Sequence, residues 1–265
     1  MRRTTLTIAV LAISVVSQTG YSHHTSLPES VTPEMATWLW GYHTIPPTIT
    51  GDGSPYLYAY PHTDAGRIND PPWTEVAARH IKAGAKAPAV LYLHGCSGLN
   101  RGGLGYRLML INAGFAIFEP DAYARPGHTC EVSSSKQRRA EIVYALSQIR
   151  QLPWIDQDRI ILMGNSQGGR TVARWDEPGF AAHVILASNC GAFHKNAAAA
   201  PRAPATVPVL AVVGARDDYF LGSSCKVTRR IKGSKSIVIP DADHDIMGHP
   251  QTKSTIRDFL RNCCQ

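Results

Sequence analysis

Between residues 87 and 239 the chain carries six short apolar runs, 87–93, 115–119, 159–163, 183–187, 207–213 and 236–239. They are enriched in Val, Ile and Leu on both faces, so both faces of each run are expected to be buried. A parallel sheet covered by helices on both sides requires that pattern. Several of the segments between them have helical period. In 136–150, Ile142, Ala145, Leu146 and Ile149 share one face, which leaves Arg138, Arg139, Glu141 and Gln148 for the others. Near the end of the chain, Ile256, Phe259 and Leu260 come together in the same way over 252–262. The alternation predicts an α/β fold: an open, mostly parallel, doubly wound sheet flanked by helices, with sites at the C-terminal ends of its strands. The Ala- and Pro-rich stretch 196–205 is too short for a lid, so no large cap domain and an open cleft are expected.

Residues 23–55 are rich in Pro, Thr and His without a clear period, and 63–73 are turn-rich. With a short strand over 56–60, they predict an irregular arm and edge elements. The first residues differ again: Arg2 and Arg3, an apolar segment over about 6–16, then small and polar residues to Ser22. That is the three-part form of a secretory signal, cleaved between residues 17 and 23 and too short in its apolar part to span a bilayer. The expected organisation is a signal peptide over 1–22, an N-terminal arm with edge elements over 23–84, and a catalytic core over 85–265 that shares one domain with the arm. The mature protein is expected to be periplasmic or secreted, with no stable membrane insertion.

The formal net charge of +7 includes Arg2 and Arg3, and the remaining Lys and Arg are scattered, so no nucleic-acid partner is expected. Six cysteines in an exported chain point to disulfides, and their spacing lacks the paired patterns of a zinc site. No metal is expected. Cys96 and Cys130 each follow a predicted strand at its C-terminal end, which makes them the favoured pair. Cys263 and Cys264 are adjacent and poorly placed to bridge each other, so one of them is expected to reach Cys190 or Cys225.

The run 159–163 leads into Gly164-Asn165-Ser166-Gln167-Gly168, and residues able to start a helix follow. A strand, a tight turn and a helix would hold Ser166 in a strained backbone conformation with its hydroxyl exposed. The flanking glycines remove side chains that would otherwise collide. Such a hydroxyl needs an imidazole to take its proton and a carboxylate to orient that imidazole. After the run 207–213, Gly214 is followed by Asp217 and Asp218, of which Asp217 is the chosen acid and Asp218 the fallback. After the run 236–239 comes His244, the best base, with His249 as its rival. The order Ser166, Asp217, His244 is that of the triad on hydrolase sheets. Backbone donors for an oxyanion are expected at the N–H of Gln167 and at that of Cys96, in the loop His94-Gly95-Cys96-Ser97-Gly98, with Ser97 as the alternative. His94 is expected to brace backbone.

On these motifs, together with Pro120-Asp121-Ala122-Tyr123-Ala124-Arg125-Pro126 and Ala242-Asp243-His244, residues 85–262 resemble an α/β-hydrolase of the dienelactone hydrolase group. The resemblance implies an ester or lactone substrate and no cofactor. In that family the elbow often carries cysteine, activated through a glutamate in the loop that here reads 94–100. This chain has Ser166 at the elbow, and that glutamate falls on Gly95. A family arginine that holds a substrate carboxylate matches Arg125, which could equally be structural and pair with Asp121; Tyr123 is a further candidate substrate contact. A second such arginine would fall near Gly248 and is missing. Secreted polyester depolymerases and feruloyl esterases share the His-Gly-Cys loop and a serine elbow.

The function expected from the sequence is an exported serine hydrolase of carboxylic esters or lactones. The alternatives are a peptidase or amidase on the same triad, and a non-catalytic binding protein that kept the fold. Loops 123–135, 189–206 and 218–235, which would shape the pocket, carry no translatable pattern.

Overall fold

The computed structural model describes residues 27–59, 73–99, 104–130, 135–191, 198–228, 231 and 233–263. The expected signal peptide lies outside them. Eight strands form one sheet: β1 (Tyr42–Ile45), β2 (Tyr56–Ala59), β3 (Ala87–Leu93), β4 (Ala116–Glu119), β5 (Ile155–Asn165), β6 (Ala182–Leu186), β7 (Val209–Gly214) and β8 (Lys235–Ile239). Their spatial order is β2-β1-β4-β3-β5-β6-β7-β8. The six strands predicted from apolar runs are mutually parallel, and β1 and β2 join antiparallel at one edge. This is the expected mostly parallel α/β sheet, although β8, expected to be buried on both faces, is a largely exposed edge strand.

Six α-helices accompany it among the described residues: α1 (Pro33–Leu39), α2 (Trp73–Ala78), α3 (Leu104–Asn112), α4 (Ser135–Ile149), α5 (Gln167–Ala173) and α6 (Pro250–Cys263). Neither the β6–β7 nor the β7–β8 connection holds a helix among those residues. None of these helices is long and apolar enough to cross a membrane.

Alternation along the strands divides the core. Ala89, Leu91 and Leu93 of β3 pack on one side of the sheet with Phe118, Ile142, Ile149 and Leu162. Val90 and Tyr92 face the other side, with Ile117, Ile161, Met163, Val184 and Phe259. Each fully buried aliphatic side chain of this kind contributes about 1.5–3 kcal/mol. One irregularity interrupts the sheet: the ladder to β5 jumps from Ala87 opposite Ile155 to Ala89 opposite Ile160. Pro88 sits at the jump with its nitrogen turned away from β5, since the Ala87 amide is the one that donates to Trp154 O, and the extra residues make β5 the longest strand.

The arm is more ordered than its composition suggests. Thr32 caps α1 by accepting from the Met35 amide, and Pro33 occupies the first turn. Trp38, Ile45, Ile49 and Trp73 join the main core. The strand β1, read in sequence as irregular, was hidden because two of its four residues are His43 and Thr44, both buried.

Cys96 and Cys130 are bonded, as expected. The other expectation is corrected: Cys190 pairs with Cys225 and with neither terminal cysteine. Those two follow β6 and β7, adjacent parallel strands, so the sheet itself brings them together. Cys263 is also disulfide-bonded, and Cys264 lies outside the described residues.

Candidate active site

The C-terminal ends of β3, β5, β7 and β8 bring together groups that are far apart along the chain. Ser166 sits between β5 and α5 at φ 54° and ψ −114°. A positive φ at a residue other than glycine costs on the order of 1–3 kcal/mol, so surrounding structure must hold it. Two backbone bonds do so: the Ser166 amide donates to Leu186 O at 2.9 Å, and Ser166 O accepts from the Arg170 amide at 2.9 Å. The glycines are obligatory by clearance. A Cβ on Gly164 would lie 2.6 Å from Gly168 C, and one on Gly168 only 2.0 Å from Leu93 O. The bend thus packs backbone against backbone. Ser166 is only 8 % exposed, less open than its motif suggests, because the Gly95 loop lies against it.

His244 Nε2 lies 2.9 Å from Ser166 Oγ, and His244 Nδ1 lies 2.8 Å from Asp217 Oδ2. A carboxylate only accepts, so Nδ1 carries the proton and Nε2 is free to accept from the serine hydroxyl. Asp217 is itself fixed: its Oδ1 accepts from the amides of Tyr219 at 2.9 Å and Phe220 at 3.0 Å. Burial works against ionisation of Asp217. The hydrogen bond and charge of His244, with the two amides, outweigh it and hold the carboxyl below its ordinary value. Gly214 permits the turns that carry Asp217 and His244 to touch, since a Cβ there would lie 2.2 Å from Asp243 O.

The rivals stand elsewhere. Asp218 is exposed, and His249 faces Asp241 at 3.3 Å. Gly95 also accounts for the missing glutamate: a Cβ at that position would lie 2.9 Å from Ser166 Cβ and 3.2 Å from Asn165 O. No larger side chain fits there without moving the elbow.

On the opposite side, His94 braces backbone as expected. Its Nδ1 donates to Gly95 O at 2.7 Å, and its Nε2 accepts from the Ala122 amide at 2.9 Å. Tyr123 and Arg125 are both engaged by the protein itself, Tyr123 by the Cys96 loop and Arg125 by α4. The Tyr123 hydroxyl donates to Cys96 O at 2.5 Å. Arg125 is buried, and its partner is Glu141 at 2.8 Å, which corrects the suggested pairing with Asp121. Glu141 also meets Arg138 at 2.8 Å, and Arg138 donates to His94 O at 2.9 Å. Arg138 and Glu141 lie off the apolar face that the helical period picks out, yet both are buried. Their numbers place them one turn from Ile142 and Ala145, so the helical period held the signal. A preference for outward charges obscured it.

Sequence reasoning also missed the side chain of Gln167, whose Nε2 donates to Cys130 O at 2.9 Å. It missed Tyr219 as well, an exposed ring centred 4.5 Å from the His244 imidazole. The sequence Asp217-Asp218-Tyr219-Phe220 held the signal for the second, because an Asp often accepts from amides two and three residues on.

No family model and no curated protein matches the chain. Solved structures do. A Klebsiella pneumoniae subsp. pneumoniae protein assigned as a dienelactone hydrolase superposes with a TM-score of 0.50 at 18% identity, covering 68% of this chain and 88% of that one. Est1E from Butyrivibrio proteoclasticus, in a structure with ferulic acid bound, gives 0.51 at 16% identity, covering 66% of this chain and 89% of the other. Sheet order, strand direction and these neighbours together show that the chain has the α/β-hydrolase fold of the dienelactone hydrolase and esterase structures.

Proposed function

We propose that the protein is a carboxylic ester hydrolase in which Ser166 forms an acyl-enzyme. One observation carries this reading: the unbroken hydrogen-bonded line from Ser166 Oγ through His244 to Asp217. Ser166 Oγ attacks the ester carbonyl carbon while His244 Nε2 takes its proton. Asp217 holds the imidazole in the accepting tautomer and stabilises the imidazolium that forms. The oxyanion is received by the amides of Cys96 and Gln167. His244 then returns the proton to the departing alkoxide, and a water activated by the same imidazole frees the acid. A lactone follows the same steps with both products in one molecule.

The esterase and dienelactone hydrolase neighbours support a small-molecule ester substrate, and the exposed Tyr219 ring beside His244 favours a substrate with an apolar or aromatic part. Two disulfides and the leader-like first 22 residues support export to the periplasm or beyond. The expected result is hydrolysis of short p-nitrophenyl esters, lost about 10⁴-fold or more in Ser166→Ala with folding retained. Stoichiometric labelling of Ser166 by a fluorophosphonate is expected alongside. An unchanged rate in Ser166→Ala would overturn the assignment.

A further inference from the structure

Both amides assigned above to the oxyanion belong to residues tied to one disulfide. Cys96 offers its own N–H, and its sulfur is bonded to Cys130. Gln167 offers its N–H from the first turn of α5, while its side chain donates to Cys130 O at 2.9 Å. The Tyr123 hydroxyl closes the arrangement by donating to Cys96 O. The two donors therefore sit on different strand ends, after β3 and β5, and are joined through a third segment, the loop after β4. We propose that the Cys96–Cys130 disulfide is the positioning element of the oxyanion hole, and that opening it slows acyl transfer without disturbing the triad.

Geometry explains why such a clamp has something to do. A donor stabilises an oxyanion only when it is held about 2.7–3.1 Å from where the charge develops, and loss of one donor lowers turnover about 10²–10³-fold. Ser166 is held by backbone packing, whereas the Cys96 turn continues to an exposed Ser97. Of the two disulfides whose cysteines are both described, this is the more exposed one. Cys96 and Cys130 are half-buried, while Cys190 and Cys225 are 7 % and 2 % exposed. A phosphine such as TCEP reduces the bond in one balanced step. Its phosphorus is oxidised to phosphine oxide with oxygen from water, and the two electrons and two protons convert the sulfurs into the thiols of Cys96 and Cys130.

The inference rests on the ester hydrolase reading, and the test separates the two. Wild-type protein is treated with TCEP until mass spectrometry shows Cys96–Cys130 open and Cys190–Cys225 intact. Cys130→Ala breaks the same bond without a reductant and leaves Cys96 as a free thiol. Turnover of a short p-nitrophenyl ester is then resolved into kcat and KM, and the low-field proton of the His244 imidazole is followed by NMR. The expected result is a fall in kcat of about tenfold or more, with KM within threefold and the imidazole resonance unmoved. Unchanged kcat with the bond open would overturn the clamp alone. So would a loss that appears only together with loss of the imidazole resonance or with unfolding, since that marks a merely structural bond. Absence of turnover and of Ser166 labelling in the oxidised wild type would instead overturn the ester hydrolase reading, and the clamp with it.

Discussion

Around Ser166 the closest restraints are main-chain atoms: Leu93 O beneath Gly168, Gly168 C beneath Gly164, and Leu186 O receiving the serine amide. Around Cys96 they are side chains: the Tyr123 hydroxyl, the Cys130 sulfur and, one layer back, Arg138 on His94 O. The elbow therefore depends on the absence of atoms, and the Cys96 loop on the presence of particular ones. Restraint by clearance is all-or-none, because a methyl group either fits or displaces a strand. Restraint by side-chain bonds is graded, and each bond can be weakened separately.

The contrast breaks most sharply at Gly168. Gly168→Ala places a carbon 2.0 Å from Leu93 O, and it is expected to cost at least about 4 kcal/mol or prevent folding, read by thermal unfolding. A stable Gly168→Ala protein with full Ser166 labelling would show that the elbow tolerates what its clearances forbid.

Close behind comes Glu141→Gln, which leaves Arg125 and Arg138 buried without a counter-charge. It is expected to destabilise by about 3–5 kcal/mol in urea unfolding. Because Arg138 reaches His94 O, kcat should fall together with stability.

The same wall predicts sensitivity to acid. His128 is buried among these groups, and its ring nitrogens have no hydrogen-bond partner among the described residues. Burial, with the charges of Arg138 and Arg125, lowers its pKa to about 4. Burial likewise holds His43, in the aromatic cluster of the arm, at about 3. In the unfolded chain both would take up a proton near the ordinary value, so the unfolded state binds more protons throughout the interval. Stability therefore falls as pH drops from 6.5 towards 4, by up to about 3 kcal/mol from each histidine. His128→Phe keeps the ring and removes one proton site, so its urea midpoint should drop less between pH 7 and 4.5 than that of the wild type.

The smallest effect is expected from Tyr123→Phe. It removes one hydrogen bond to the Cys96 loop and should cost about 1 kcal/mol in stability, with a few-fold loss in kcat. An effect on KM alone would return Tyr123 to the role of a substrate contact.

The elbow wall was legible in the sequence, because each of its parts is local. Ser166, Asp217 and His244 each follow an apolar run and a turn, and main-chain sterics over a few residues determine where the side chain goes. The other wall is built from groups distant in sequence: residue 94 with 138, 96 with 130, 125 with 141 and 130 with 167. A single sequence carries no pattern for such meetings unless a covalent chemistry announces them. Cys96 and Cys130 were found for that reason, and the Gln167 side chain on Cys130 O was not. The Cys190–Cys225 pairing shows the limit even of cysteine chemistry, since choosing between partners required knowing that β6 and β7 are neighbours.

The backbone angle at Ser166 has a consequence for which amino acids the position can accept. Threonine carries an equivalent alcohol, yet a side chain branched at its first carbon is poorly tolerated at a φ of 54°. Two groups of similar reactivity are thus separated by shape alone. Selection at this bend acts on the number of substituents at one carbon before it acts on the chemistry of the oxygen.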